Sequence, residues 1–441
     1  MAVGAALSGA GKFGDLKRRL LFLVGALIVF RIGSYIPVPG IDPGQLKELF
    51  KGQSGGILNL FNMFSGGALS RFTVFALGIM PYISASIVLQ LLTVGVPYFQ
   101  KMQKDGESGR KRINQITRVL TIAITIAQGI GYITATILPT GAVMIDTSLF
   151  IFSSLILLSA GTMFCMWLGE KITEKGIGNG ISMLIMIGII SRFPGALIAE
   201  GLEKGSSGML LLIIEALVLF FVVAGVIALT EATRRIPVQY AKQVVGGKVY
   251  GGQRQYIPIK VNASGVMPII FAQALMFIPG LVAQSFAEKS EFASSVASAF
   301  GDFTTWQYNV LFAFLIIVFT FFYTAISINP TQISDDMKRG GGFVPGVKPG
   351  EETAGFIATI LDRITLPGAV MLSLIAVLPA VANLFGVTRG FASFFGGTSL
   401  LILVGVVLDT LQQIESYLLM RKYEGLMQSG RVKGRSEMIS R

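Results

Sequence analysis

Residues 78–86 read GIMPYISAS, and residues 265–273 read GVMPIIFAQ. Both run Gly, a branched apolar residue, Met, Pro, and then an Ile at the sixth place. Ile79 and Ile83 stand four residues apart, so a helix puts them on one face, and Val266 and Ile270 take the same places in the second copy. The chemistry open to such residues is physical rather than covalent. A constriction of branched apolar side chains blocks ions by dewetting and grips no particular solute. It suits a passenger of variable chemistry. Each copy also carries a proline, which removes one backbone donor and weakens a helix locally. In lipid that defect is tolerated where the helix faces protein or water. The repeated phrase thus predicts two equivalent helices that line a central feature and can flex. The plainer reading, that proline kinks simply recur in membrane helices, stays open.

Covalent chemistry has little to work with. The 441 residues include no histidine and one cysteine. That excludes histidine-based triads, His or Cys metal sites and disulfides. Cys165 lies in GTMFCMWLG and is expected to pack or to face lipid. The Gly-rich GGGFVPGVKPG lacks the Lys-Ser/Thr ending of a nucleotide-binding loop. No enzyme activity, metal or cofactor is expected. Ionisable residues inside apolar segments mark function because they are costly there, and the candidates are Glu215, Asp409 and Arg31.

The elements that must position the constriction follow from composition. The chain is 52% hydrophobic and 14% charged, with mean hydropathy +0.69. A soluble domain carries about 25% charged residues, so this is an all-α polytopic membrane protein. Apolar runs near the length needed to cross a bilayer predict ten transmembrane helices at 20–37, 72–93, 115–138, 149–169, 181–199, 209–230, 264–285, 309–328, 364–385 and 398–419. No cleavable leader is expected, because Lys17, Arg18 and Arg19 run into an apolar stretch too long for one. With the N-terminus in the cytoplasm, 28 of the 36 Lys and Arg fall on the cytoplasmic side and eight on the other. That bias places both termini in the cytoplasm.

Five spans per half is an odd number, so the second half enters from the opposite side and the halves form inverted pseudo-repeats. Proteins of that kind work at the repeat interface. Two cytoplasmic loops are long. Residues 234–260 alternate apolar and polar residues around Gly-Gly pairs, which predicts a β-hairpin. Residues 329–363 place Lys348 at a tight Gly/Pro tip. Long basic loops usually hold a partner, the alternative being solvated linkers. Residues 55–72, bracketed by Gly pairs, are too short to span. They predict a short helix folded back into a cavity or one lying flat on the bilayer.

Seven segments in order carry a family likeness: FNMFSGGALSRFTVFALGIMPYISASIVLQLL, GTMFCMWLGEKITEKGIGNGIS, RRIPVQYAKQ, YIPIKVNASGVMPIIFA, FFYTAISINP, GGFVPGVKPGEET and FFGGTSLLILVGVVLDT. Together they resemble the bacterial SecY family of translocation-channel pore subunits, over essentially the whole chain. The resemblance implies a channel that passes unfolded polypeptides across the bacterial plasma (inner) membrane and releases apolar segments sideways into lipid. It implies a pore ring of Ile79, Ile83, Ile181, Ile185, Ile270 and Ile402. It implies a plug near residues 56–71, with Leu60, Phe61, Asn62, Phe64, Ser65, Gly66 and Gly67. It implies a lateral gate at Pro81, Ser84, Gln90, Pro268, Gln273 and Phe277, where Ser84, Gln90 and Gln273 would hydrogen-bond across it. Docking of the SecA ATPase or of ribosomes, ribosomal RNA included, maps to Lys348, Lys248, Arg254, Arg234, Arg235, Arg110, Lys111 and Arg112. SecE and SecG are the implied subunits, and signal sequences and nascent chains the implied passengers. The family usually carries Arg at the tip where this chain has Lys348, which loses the forked geometry. On this reading the chain divides into a tail (1–19), an N-terminal half (20–199), a hinge connection (200–208), a C-terminal half (209–419) and a basic tail (420–441). The rival expectations are a secondary transporter of a small solute, against which the scarcity of mid-membrane acids speaks, and a scaffold for membrane assembly.

Overall fold

The computed structural model describes residues 14–42, 44, 46, 62, 64–205, 208–240, 243–245, 248–250, 254–273, 275–276 and 304–428. Leu60, Phe61 and Phe277 lie outside the described residues. The first half contains α1 (Gly14–Gly33), α2 (Met80–Gly95), α3 (Pro97–Lys104), α4 (Gly106–Tyr132), α5 (Thr147–Lys175), α6 (Gly180–Ile190) and α7 (Phe193–Lys204). The second half contains α8 (Met209–Glu231) and α9, described over 267–273 and at 275–276. It continues with α10 (Trp306–Ser327), α11 (Pro330–Arg339), α12 (Glu351–Leu384), α13 (Arg389–Ala392) and α14 (Gly397–Gln428). Among the described residues six helical segments are long and apolar enough to cross a membrane, with α2 and α3 as a further pair bent by 103°.

Side chains start several of these helices by accepting the first free backbone N–H groups. Asp146 Oδ2 accepts from Ser148 and Leu149 at the head of α5, and Asn179 Oδ1 from Ile181 and Ser182 at the head of α6. Small residues let helices approach closely, as membrane packing requires. A Cβ at Gly161 of α5 would stand 2.0 Å from the carbonyl oxygen of Val74, and one at Gly129 of α4 would stand 2.9 Å from Leu155. The most apolar helix, α8, keeps only 11% of its apolar window buried and so faces lipid.

Three spans differ from the sequence expectation. The second does not begin at 72: residues 72–79 form turns, with Phe72 at φ +47°, and helix starts only at Met80. The third starts earlier, at Gly106, and ends in a π-helical turn over Ile133–Ile137. The ninth starts at Glu351 rather than 364, so a good part of the second long loop is helix. The short connection between the halves is also helical as far as Lys204.

The first long loop folds as the expected hairpin. The strand β1 (Thr233–Tyr240) pairs antiparallel with β4 (Arg254–Lys260), beyond which β2 (Gln243–Val245) pairs with β3 (Lys248–Tyr250). The strand β5 (Gly342–Phe343), from the second loop, adds to the other edge of β1. Ile236, Val238, Ile259, Met337, Val344, Ile357 and Leu361 form a buried cluster beneath this sheet. The two loops are thus one small folded platform with its own apolar core, not separate linkers.

Candidate functional site

Each copy of the duplicated phrase makes a helix start. Gly78 (φ +53°) and Gly265 (φ +63°) both adopt the left-handed conformation, and α2 and α9 begin two residues later, at Met80 and Met267. A Cβ at Gly78 would meet nothing closer than 3.7 Å, and at Gly265 nothing within 4 Å. The glycines are therefore required by backbone conformation rather than by space. Pro81 and Pro268 follow at the second helical position, where their missing N–H would have had no partner in any case. Both are buried. The expectation of flexible mid-helix kinks is therefore corrected: the prolines open helices that begin deep within the protein.

The residues around these starts converge. Ile79, Ile185 and Ile402 are buried at 5%, 8% and 4% exposure. Ile83, Ile181 and Ile270 pack against them, with Met80 and Val266, in one apolar cluster. The six isoleucines come from α2, its preceding turn, α6, α9 and α14, so both halves contribute. Phe64 belongs to the same cluster. A narrow crevice beside it is lined by Phe64, Ser65, Leu77, Gly78, Ile79 and Ile185.

The segment carrying Phe64 is held by its own turns. Asn62 Oδ1 accepts from Ser70 N at 3.0 Å, and Gly67 N donates to Asn62 O at 2.8 Å. Ser65 Oγ donates to that same carbonyl and accepts from Leu69 N. Asn62 and Ser65 are both buried. Gly66 and Gly67 take positive φ. A Cβ at Gly188 of α6 would lie 2.3 Å from Phe64 O, so the segment's backbone rests directly on that helix. Arg31 Nη1 donates to Gly66 O at 3.2 Å.

The gate residues divide. Ser84 is half-buried on α2. Gln90 Nε2 donates to Ser86 Oγ of its own helix at 3.4 Å. Gln273 is buried and lines a cavity with Tyr308, Phe312 and Ala376, among helices of the second half. Among the described residues no hydrogen bond joins Ser84 or Gln90 to Gln273. Of the basic residues expected to dock partners, Arg110, Lys111, Arg112, Arg234 and Arg235 are exposed. Lys111 pairs with Glu107 at 3.3 Å. Lys348 is exposed on its tip, with Glu352 Oε1 at 3.5 Å. Lys248 and Arg254 stand on β3 and β4.

Of the flagged ionisable residues, Asp409 is exposed and accepts from Gln413 at 3.1 Å. Glu215 is buried and pairs with Lys204. Lys204 Nζ also meets Glu200 Oε1 at 2.7 Å, and Glu200, fully buried, accepts from Thr388 N at 3.0 Å and from the Thr388 hydroxyl. This cluster joins α7, α8 and the turn before α13 beside the connection between the halves. Sequence reasoning missed it. Its only local signal was the i,i+4 spacing of Glu200 and Lys204.

Comparison with known proteins agrees with this arrangement. The sequence model of the SecY family matches residues 73–411. A protein translocase subunit SecY of Streptomyces coelicolor is 43% identical, covering 96% of this chain and 99% of the relative. One of Escherichia coli K12 is 44% identical, covering 97% of each, and one of Vibrio cholerae is 44% identical, covering 95% and 96%. Among solved structures, one described as a protein conducting channel is similar with a TM-score of 0.67 at 18% identity, over 94% of this chain and 95% of that one. Sec61 in a canine ribosome–channel complex is similar with a TM-score of 0.63 at 17% identity, again over 94% and 95%.

Proposed function

The chain belongs to the SecY family of protein translocase subunits, and we propose that it is the pore subunit of a bacterial plasma-membrane channel that passes unfolded polypeptides and releases apolar segments sideways into lipid. One observation carries the reading: two equivalent helix starts, one from each half, bring Ile79, Ile83 and Ile270 into a single apolar cluster with Ile181, Ile185, Ile402 and Phe64. Such a collar dewets when nothing fills it and so holds back ions. Its branched walls yield to any extended chain and select none.

At rest the isoleucines and the Asn62–Arg71 plug segment close the path. A signal sequence entering beside α2 and α9 parts the halves about the 200–208 connection and displaces the plug. Pro81, Ser84, Gln90, Pro268 and Gln273 are assigned to that seam. A solved SecY channel is described as one whose plug domain stabilizes the closed state and maintains a membrane seal, and the same role is proposed for Phe64 and its turns. The chain supplies no energy itself. A SecA-class ATPase or a ribosome docks on the β1–β4–β5 platform and its basic residues, consistent with the ribosome-bound relatives. SecE and SecG complete the assembly, and both termini face the cytoplasm.

The experiment is reconstitution of the purified chain, with its small subunits, in vesicles to which SecA, ATP and an unfolded secretory precursor are added. Protease-protected precursor is the expected result. No protection, with the chain shown to be inserted, contradicts the reading.

A further inference from the structure

An open cavity lies beside the plug segment, apart from the pocket at the isoleucine cluster. It is lined by four arginines, Arg31, Arg71, Arg192 and Arg389, together with Tyr35 and small residues. On the charge-based topology it opens on the face opposite the β platform. No acidic side chain among the described residues lines it, and none pairs with any of the four guanidiniums. Arginine stays protonated at any working pH, so four positive charges share one water-accessible volume.

The groups already present do not neutralise them. Arg31 donates to Gly66 O and to the Tyr35 hydroxyl, each at 3.2 Å. The Arg71 guanidinium lies 4.1 Å from the centre of the Tyr35 ring and that of Arg31 lies 5.3 Å from it, so one ring serves two like charges. Arg71 Nη1 is buried with no hydrogen-bond partner among the described residues. Buried unpaired donors on a charged group are costly. The hydroxyls of Ser70, Ser191 and Ser393 donate to backbone carbonyls and offer the cavity no counter-charge. The backbone has made room for the guanidiniums: a Cβ at Gly66 would lie 2.5 Å from Arg31 Nη1.

We propose that this vestibule binds a phosphate-type oxyanion through Arg31, Arg71, Arg192 and Arg389. Planar guanidinium forks match such an anion in paired, charge-assisted bonds. Arg31, Arg71 and Arg192 come from the first half and its plug segment, and Arg389 comes from the second. One anion between them therefore ties both halves and the plug together. The site itself does not depend on the transport reading, although that consequence does. The oxyanion is either a free ion or the headgroup of an anionic lipid.

The test is calorimetric titration of the purified full chain, in its native complex in nonionic detergent, with inorganic phosphate at constant ionic strength. A saturable isotherm is expected, weakened by at least about tenfold in Arg71→Gln and in Arg389→Gln. Lys175→Gln, at an exposed site on the opposite face, should leave it unchanged. Absence of saturable binding, or equal affinity in wild type and both Gln variants, overturns the proposal. A second measurement needs no variant. Arginine modification of the wild-type chain by phenylglyoxal, mapped by mass spectrometry, should slow at these four residues when phosphate is present, and not at the exposed Arg363. Equal slowing everywhere, or none, also overturns it. Repeating the mapping in phosphatidylcholine discs, with and without phosphatidylglycerol, assigns the source. Protection by the anionic lipid alone identifies a headgroup, and protection only on adding phosphate identifies the free ion. Both readouts are of binding, so they stand or fall apart from translocation.

Discussion

At the scale of single residues, the plug segment hangs on Asn62. Its buried side-chain oxygen accepts from Ser70 N, and its carbonyl takes two further donors. Asn62→Ala removes the acceptor of a part-buried N–H, a net loss of about 1 kcal/mol. The segment should then exchange its amides faster than wild type, read by hydrogen exchange in the resting complex. Unchanged protection would mean that Phe64 packing alone holds it. Lys348 is the opposite case, because it is exposed and its ion pair with Glu352 is open to water. Such pairs contribute little, so Lys348→Glu should leave folding intact and weaken binding of SecA and ribosomes. Lys348→Arg should preserve or strengthen it. A titration at two salt concentrations decides, and equal affinity of wild type and Lys348→Glu at low salt would show the tip to be a mere linker. Single residues were also where the sequence was least legible. Arg31 and Arg389 are separated by most of the chain, and only the fold shows that they share a cavity.

At the scale of elements, the sequence revealed that helices exist but not how they begin. Apolar runs announce spans because lipid demands them. The meaning of a proline depends on where the helix starts. In both copies of the phrase the positive-φ glycine fixes that start, and nothing in hydropathy signals it. Gly78→Ala and Gly265→Ala should each destabilise by about 1–2 kcal/mol, because an L side chain pays that for left-handed backbone. Gly78→Asn should cost less than Gly78→Ala, since Asn tolerates this conformation. Thermal unfolding in detergent measures both, and equal stability of the two variants would mean that the turn relaxes. The strand β5 was illegible for another reason: two residues carry no period, and only the edge of β1 makes them a strand. The hairpin it joins was legible because its alternation runs over a longer stretch.

At the scale of the molecule, two halves meet at the isoleucine cluster and are tied elsewhere by polar contacts. Gly178 N donates to Gln413 Oε1 at 2.9 Å, joining the α5–α6 turn to α14. Glu200, Lys204 and Glu215 join α7 to α8. Removing the cation by Lys204→Met leaves two buried carboxylates facing each other, which should destabilise by about 3 kcal/mol or more. Denaturation in detergent tests this, and a shift below about 1 kcal/mol would show that water compensates. The helical, polytopic plan was legible because apolar runs are properties of whole segments, whereas this cluster depends on the packing of α7 on α8. The isoleucine cluster is proposed to seal the path between the halves. Its most direct test is the conductance of planar bilayers holding the reconstituted chain, without passenger, in wild type and with Ile79, Ile185 and Ile270 replaced by Ser. Polar side chains there should wet the constriction and give a steady ion leak well above wild type. Background conductance in the variant, with insertion confirmed by protease mapping, would contradict the claim and leave these isoleucines as ordinary packing.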